Sequence, residues 1–224
     1  MSAGMNPLLI IPARAGSQRI PNKNRTLLAG MSPLQRAIAC CRTAFPQGAD
    51  IIVTADQLPN TEWQYGVRYH PRSAFLSSDT ASMVDVVLDV LRVYPGSVDQ
   101  RVLLVQPTQP LRKPEHLIEA YVRLEAHPSV ASLAETVSVD KLYLRRDGRL
   151  VPVGGALERD QQATPTFACD GTVYGFRRDW FLKHQTFRDV DHTSTFVIPP
   201  DETCRLDTEM DWRIASLLLA HRGH

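Results

Sequence analysis

The stretch Leu8–Arg25, LLIIPARAGSQRIPNKNR, carries the clearest information about the fold. It opens with the apolar run Leu8–Ile11, which is typical of a short strand buried on both faces, and Pro12 ends that run. A basic loop follows, and its cations are Arg14, Arg19, Lys23 and Arg25. A glycine, a hydroxyl group and several fixed cations can surround phosphate oxygens with N–H groups and positive charge. The stretch therefore predicts a buried strand followed by a loop that binds a small polyanion.

On residue types alone, this loop has a simpler interpretation. Runs of like charge usually face solvent, so a cluster of cations is more often a basic surface turn than a ligand site. The loop is also not a P-loop, because no Gly-Lys-Ser/Thr ends it and no GxGxxG occurs in it. The spacing of its residues, rather than the number of its cations, separates the two interpretations.

Composition limits the class of protein. A chain of 224 residues with 43% hydrophobic residues can bury one sizeable core, which predicts a single domain over residues 1–224. The 25 basic and 24 acidic residues nearly cancel, so a nucleic-acid partner is not expected. No apolar run approaches the roughly 20 residues of a membrane span, and no charged segment precedes the first apolar run as in a signal peptide. The cysteines show no CxxC spacing. We therefore expect a cytoplasmic protein without a membrane partner.

Strand-like apolar runs alternate with helical patterns, which predicts an α/β fold with three layers and a mostly parallel central sheet. Strands are expected at 8–11, 50–54, 67–70, 101–106, 130–137, 171–176 and 195–198. Helices are expected at 33–45, around 83–91, at 115–125 and at 208–221. Ser78 or Asp79 is expected to cap the second helix, and Thr208 with Asp211 forms a capping-box pattern at the last one. Over 138–166 the pattern loosens, and we interpret this segment as an excursion from the sheet.

Several ordered segments resemble one known family. The opening loop is similar to xPARxGSxxxPxKN, the signature of the CMP-sialic acid synthetase family, whose members activate nine-carbon and eight-carbon acidic sugars. RSAFLSSDTAS at 72–82 resembles RPxxLAxDxAS, and LLVQPTQPLR at 103–112 resembles LLQPTSPLR. DGTVYGF at 170–176 lies where the family has NGAIY, and RLDTEMDW at 205–212 where it has DIDTEED. These matches occur in the family's order at the ends of successive strands, so together they are more specific than any one of them alone. The resemblance extends over nearly the whole chain.

The resemblance implies a fold, an activity and partners. The fold would be a Rossmann-like nucleotidyltransferase fold, with the 138–166 excursion as a small dimerisation element in a homodimer. The activity would be transfer of CMP from CTP to the anomeric hydroxyl of an acidic 2-keto-3-deoxy sugar, such as sialic, pseudaminic or legionaminic acid, with release of pyrophosphate. Such a transfer depends on positioning and on stabilising the charge of the phosphates.

The family's functional residues transfer to matching positions of this chain. Catalytic roles fall to Arg14, Lys23 and Asp207, and Asp207 would hold Mg²⁺, the implied cofactor. The residues expected to bind the nucleotide are Pro12, Ala13, Arg14, Gly16, Ser17, Lys23, Asn24, Arg72 and Asp79. Those expected to bind the acidic sugar are Gln106, Arg112 and Asp170.

Simpler structural roles exist for several of these residues. Asp207 could cap the last helix. Arg72 could be a surface arginine, and Gln106 could satisfy backbone groups at a strand end. Asp170 could form an Asx turn with Gly171, which is a common function of an Asp-Gly pair.

Three positions depart from the family pattern. Gln18 stands where sialic acid synthetases carry the lysine of GSK, and Arg205 stands where the first aspartate of DxDT would be. Asp170 replaces the asparagine before the glycine, as in the branch that resembles pseudaminic acid cytidylyltransferases. Arg205 could be a surface residue at a strand end, or a fixed positive charge in place of a second metal ion or of the lost lysine. Two alternatives therefore stay open: a CTP-dependent transferase for another acidic acceptor, such as a phosphonate, and a non-catalytic CTP-binding homologue.

Overall fold

The computed structural model describes residues 6–16, 20–57, 66–137, 142–147, 149–153 and 165–222. Its strands are β1 (Leu8–Pro12), β2 (Asp50–Ala55), β3 (Arg68–Pro71), β4 (Arg101–Leu104), β5 (Ser129–Thr136), β6 (Tyr143–Arg146), β7 (Arg149–Pro152), β8 (Thr166–Arg177) and β9 (Thr193–Val197). Its α-helices are α1 (Pro33–Ala44), α2 (Met83–Val93), α3 (Pro114–Arg123), α4 (Arg178–His184) and α5 (Glu209–Arg222).

Seven strands form one sheet in the order β3-β2-β1-β4-β8-β5-β9. The pairs from β3 to β4 are parallel, and β5 pairs in parallel with β9. Strand β8 is antiparallel to both of its neighbours, β4 and β5. The prediction of an α/β fold with a mostly parallel sheet is therefore confirmed.

Strand β1 lies inside the sheet and is buried over its whole length. Leu9 and Ile11 pack into a core with residues of α1 and α3. Leu8 and Ile10 face the other side, where α2 and α4 close a second core. Successive side chains of a strand point to opposite faces, so an unbroken apolar run requires cover on both sides. The three predicted layers follow from this arrangement.

Local capping signals set the ends of two helices. Ser32 accepts a hydrogen bond from the backbone of Gln35, whose side chain bonds back to the backbone of Ser32, and Pro33 begins α1. Thr208 and Asp211 exchange the same pair of bonds at the start of α5. Both helices begin where the sequence predicts.

The predicted cap of the second helix is wrong. Ser82 caps α2 by accepting a hydrogen bond from the backbone N–H of Asp85 at 3.1 Å. Ser78 lies in a preceding turn, where its hydroxyl donates to the carbonyl of Phe75. Both serines are suitable caps by residue type, and the turn at 73–78 determines which one meets the helix. Helix α4 was not predicted, because seven residues are too few for a periodic apolar pattern.

Part of the predicted excursion lies within the described residues. Strands β6 and β7 form a separate two-stranded antiparallel sheet. Asp147 has φ 48° at the turn between them, as the Asp-Gly signal implies. The segments 138–141 and 154–164 lie outside the described residues. A role of 138–166 in dimerisation stays a prediction.

Within these described ranges, no helix combines the length and the apolar character needed to span a bilayer.

Candidate active site

A cleft of about 410 Å³ opens at the carboxyl ends of β1 and β4, the edge where open α/β sheets bind ligands. Its walls come from the basic loop, the turn after β3, the turn after β4 and the segment before α5. The lining residues are Pro12, Arg14, Lys23, Asn24, Arg72, Asp79, Met83, Gln106, Pro107, Thr108, Arg205 and Asp207. Four of these side chains are basic and two are acidic, so the cleft favours an anionic ligand.

Arg14 connects the basic loop to the turn before α2. Its guanidinium donates to the carbonyl of Ser77 at 3.1 Å and lies 2.7 Å from a carboxylate oxygen of Asp79. Asn24 fixes the backbone at Arg14 from within the basic loop, because its side-chain amide donates to the carbonyl of Arg14 at 3.0 Å. Asp79, predicted to bind the nucleotide, thus lies in the cleft as the ion-pair partner of Arg14.

Asp56 anchors the loop to the sheet. Its carboxylate accepts a hydrogen bond from the backbone N–H of Ala15 at 2.7 Å. Asp56 follows the last residue of β2 and was not among the predicted site residues. Its position at the carboxyl end of a buried strand is the signal that could have identified it.

Lys23 connects the basic loop to the segment before α5. Its ammonium group donates to the carbonyl of Leu206 at 2.6 Å and lies 4.0 Å from a carboxylate oxygen of Asp207. Only 11% of its side-chain surface is exposed. The two segments are far apart in the sequence. Their contact places a cation from each, Lys23 and Arg205, on one wall of the cleft.

Arg72 is buried rather than on the surface, which removes its simpler structural role. Its guanidinium donates to the hydroxyl and the carbonyl of Thr54, at 3.5 and 3.3 Å. Burial lowers the pKa of Arg72 to about 10, so the group stays positively charged near neutral pH. It contributes a fixed cation at the cleft wall.

The turn after β4 is held by a buried arginine. Arg112 donates from Nε to the carbonyl of Thr172 at 2.6 Å and from a terminal nitrogen to the carbonyl of Gln106. Gln109 donates to the carbonyl of Asp170 on β8. These bonds present Gln106 to the cleft beside Gly171, whose φ of 79° is a conformation that glycine adopts without strain. Arg112 is not among the residues that line the cleft.

Asp170 lies behind the cleft wall. Its carboxylate accepts hydrogen bonds from the hydroxyls of Ser132, Thr172 and Thr203 and from the backbone N–H of Thr172. The bond to the N–H two residues on is the Asx turn named above as its simpler role. Through Thr203, this carboxylate also holds the segment that leads to Asp207. Binding of the acidic sugar by Arg112 and Asp170 stays a prediction.

A second group of residues holds the segment before α5 from the other side. Glu202 accepts hydrogen bonds from Lys113 and from His116, the latter at 2.8 Å. The backbone N–H of Leu206 donates to the carbonyl of Thr108 at 2.9 Å. The position of Asp207 therefore depends on contacts with β8, α3 and the turn after β4.

The contact between His116 and Glu202 is expected to make the stability of the fold depend on pH. Burial lowers the pKa of His116, and the hydrogen bond from Lys113 lowers the pKa of Glu202. Both side chains therefore bind a proton more readily in the unfolded chain than in the folded chain. The free energy of unfolding should fall as the pH decreases below about 6.5, the ordinary pKa of histidine, because protonation then favours the unfolded chain. Replacing His116 with glutamine should reduce the decrease, measured by urea denaturation between about pH 7.5 and 5.5. An equal decrease in both proteins would contradict this explanation.

The structure brings eight of the predicted site residues into the cleft lining: Pro12, Arg14, Lys23, Asn24, Arg72, Asp79, Gln106 and Asp207. Ala13 is buried at the end of β1, and Gly16 lies further along the loop with open space around it. Ser17 and Gln18 lie outside the described residues. Met83, Pro107 and Thr108 also line the cleft and were not predicted.

The donor set at Asp207 does not fit a resident Mg²⁺ ion. One carboxylate oxygen lies 2.9 Å from Nε of Arg205, and the other lies 4.0 Å from the Lys23 ammonium. Over the described ranges, no three potential metal-ligating side chains are grouped together. Asp207 does not serve as the cap of α5 either, since Thr208 does. The carboxylate instead lies between two cations.

Comparison with known proteins connects this cleft to a family. CMP-N,N'-diacetyllegionaminic acid synthase from Legionella pneumophila is 28% identical over 237 residues, covering 96% of this chain and 97% of that protein. Pseudaminic acid cytidylyltransferase from Campylobacter jejuni is 26% identical, with 96% of each chain covered. N-acylneuraminate cytidylyltransferase from Streptococcus agalactiae is 28% identical over 93% of this chain, which spans 52% of that longer protein.

Solved structures show the same fold. A CMP:2-keto-3-deoxy-manno-octonic acid synthetase in complex with CTP superposes with a TM-score of 0.71 at 16% identity, covering 97% of this chain and 99% of that one. A 2-C-methyl-D-erythritol 4-phosphate cytidylyltransferase from Thermus thermophilus superposes with a TM-score of 0.62 at 14% identity, covering 96% and 100%. At these identities, the likeness concerns the fold alone.

The profile of the cytidylyltransferase family matches residues 8–208, from the first residue of β1 to the cap of α5. The match includes every element that forms the cleft. It confirms the resemblance drawn from the opening loop and the later motifs. The chain belongs to the cytidylyltransferase family.

Proposed function

We propose that this protein transfers CMP from CTP to the anomeric hydroxyl of an acidic 2-keto-3-deoxy sugar and releases pyrophosphate. The observation that carries the proposal is the cleft itself, in which Arg14, Lys23 and Arg72 meet at the carboxyl edge of the sheet. Relatives covering nearly the whole chain are named as transferases for sugar acids of this class. A cationic cleft suits both a nucleoside triphosphate and an acidic acceptor.

The proposed reaction is an in-line displacement at the α-phosphorus. The acceptor hydroxyl oxygen forms a bond to that phosphorus and loses its proton to solvent. The bond between the α-phosphorus and the bridging oxygen breaks, and its electron pair leaves with pyrophosphate. Arg14 and Lys23 would stabilise the charge on the leaving group, which is the main contribution a protein can make to phosphoryl transfer.

The remaining roles divide between the walls of the cleft. Arg72 and Asn24 would hold the nucleotide, because they line the cleft together with the basic loop. Gln106 would face the acidic sugar from the turn after β4. Mg²⁺ enters the proposal as the counterion that accompanies the phosphates of CTP, since metal–phosphate contacts need few protein ligands.

We also propose that the enzyme acts in the cytoplasm as a homodimer. Apolar side chains of the hairpin and of β8 are exposed in the single chain, among them Leu144, Val151 and Phe167. A second copy could cover them, since exposed apolar patches often mark interfaces. Sedimentation should show a dimer that a Leu144→Asp, Val151→Asp double variant dissociates. A double variant that sediments like the wild type would contradict the role of the hairpin.

The test of the proposed activity is pyrophosphate release. CTP, UTP, ATP and GTP should each be combined with sialic, pseudaminic, legionaminic and octulosonic acids in the presence of Mg²⁺. We expect release with CTP and at least one acid. CTP binding without pyrophosphate release in the presence of any of these acids would overturn the proposal and favour either another acceptor or a non-catalytic homologue.

A different acidic acceptor is the second candidate. The observation that favours it is Arg205, a cation that lines the cleft where the family pattern has an aspartate. A phosphonate in the same assay would distinguish the two acceptors. Pyrophosphate release with the phosphonate, and with none of the sugar acids, would identify the phosphonate as the substrate.

A further inference from the structure

Arg205 and Asp207 form an ion pair inside the cleft. Nε of Arg205 lies 2.9 Å from one carboxylate oxygen of Asp207, and both residues belong to the cleft lining. The second oxygen faces the Lys23 ammonium at 4.0 Å. The carboxylate is therefore neutralised from two sides by groups of the protein itself.

This arrangement disfavours a divalent ion at Asp207. Mg²⁺ bound about 2 Å from an oxygen of Asp207 would lie within roughly 5 Å of the Arg205 guanidinium or within roughly 6 Å of the Lys23 ammonium group. Like charges at these distances repel, and water screens this repulsion least at Lys23, since 11% of its side-chain surface is exposed compared with 64% for Arg205. An ion that binds the oxygen paired with Arg205 would have to displace that guanidinium first.

The Arg205 guanidinium has N–H donors that the ion pair with Asp207 does not use. An arginine carries five N–H groups, and the pair with Asp207 uses the Nε group. Its side chain is 64% exposed, so the terminal N–H groups are accessible to a ligand in the cleft. A planar guanidinium matches the geometry of phosphate oxygens.

We propose that Arg205 is a built-in cation that takes the place of a protein-bound metal ion in this cleft and contacts the phosphates of CTP directly. Asp207 orients Arg205 through the ion pair, and Thr203 and Leu206 fix the segment that carries both. This inference rests on the proposed function only in taking CTP as the ligand. It makes the binding of CTP largely independent of a divalent ion at Asp207.

The experiment measures CTP binding without an acceptor, by calorimetry, in EDTA and in Mg²⁺. For the wild type we expect dissociation constants within about threefold of each other, because the guanidinium supplies the charge in both conditions. Replacing Arg205 with alanine should weaken binding in EDTA by about tenfold or more, the effect of losing one charged hydrogen bond. Wild-type binding that is lost in EDTA would overturn the proposal.

A charge reversal sharpens the test. Arg205→Asp would place a second carboxylate beside Asp207, so this variant should bind CTP only when a divalent ion is present. Arg213→Asp is the matched control, since Arg213 is exposed on α5 and outside the cleft lining, and it should behave as the wild type. Thermal unfolding of each variant would show that the fold is retained.

Binding of Mn²⁺ to the nucleotide-free protein gives a readout that does not involve CTP. Mn²⁺ accepts the same oxygen ligands as Mg²⁺ and can be followed by electron paramagnetic resonance. The wild type and Asp207→Asn should bind it equally weakly, and Arg205→Asp should bind it at least about tenfold more tightly than either. Saturable binding by the wild type that Asp207→Asn abolishes would overturn the proposal. These measurements keep their meaning even if no sugar acid is a substrate.

Discussion

Replacing Lys23 with methionine is expected to lower pyrophosphate release from CTP by about 10²- to 10³-fold, the cost of removing one charge-stabilising donor from an active site. Lys23 is less exposed than Arg14 and Arg205, with 11% of its side-chain surface accessible. Its charge acts in an environment with little water to screen it. Methionine keeps much of the apolar stem and removes the ammonium group.

The same substitution also removes the hydrogen bond to the carbonyl of Leu206, so stability must be measured beside activity. Lys183→Met is the matched control, because Lys183 is exposed on α4 and outside the cleft lining. We expect the control to release pyrophosphate at the wild-type rate. A loss below about tenfold in a folded Lys23→Met protein would remove Lys23 from the proposed mechanism.

Replacing Arg112 with methionine is expected to lower the free energy of unfolding by about 3–5 kcal/mol. Arg112 is buried, and burial lowers its pKa. Its guanidinium satisfies the carbonyls of Thr172 and Gln106, and methionine would leave both groups without that donor. For a chain of this size, the melting temperature should fall by about 6–20 °C.

This experiment separates two roles of Arg112. If it positions the turn after β4, the stability loss appears without any substrate, and the exposed Arg92→Met control on α2 melts near the wild type. If Arg112 binds the acidic sugar, as the resemblance implies, Arg112→Met should keep its stability and raise the KM for the acid. A wild-type melting temperature would contradict the positioning role.

Elements with strong local signals could be predicted from sequence alone. Strand β1 is an unbroken apolar run closed by Pro12, and α1 begins at a serine followed by a proline. The Asp-Gly pair at Asp147 indicates its hairpin because that turn requires positive φ. Each of these signals is local, since the residues that produce the element are neighbours in the chain.

The cap of α2 and the direction of β8 could not be predicted in this way. Ser78 and Ser82 are equivalent as cap residues, and only the turn at 73–78 distinguishes them. The residues of a strand do not indicate whether its neighbours in the sheet are parallel or antiparallel, because strand direction depends on the path of the chain between strands. Strand β8 lies between β4 and β5 and runs against both.

For the candidate site, the motifs identified most of the residues, while the folded chain decided how they meet. Arg14, Lys23 and Arg72 were recognisable because each lies in a short motif that follows a strand. Their partners were not, since Arg14 pairs with Asp79, and Lys23 meets Leu206, a residue 183 positions away. Arg205 was visible as a departure from the family pattern, but the tertiary contacts of Thr203 and Leu206 decide that Arg205 and its partner Asp207 lie in the cleft. Residue identity and spacing are properties of the chain, whereas electrostatic pairing is set by distances that only the folded chain defines.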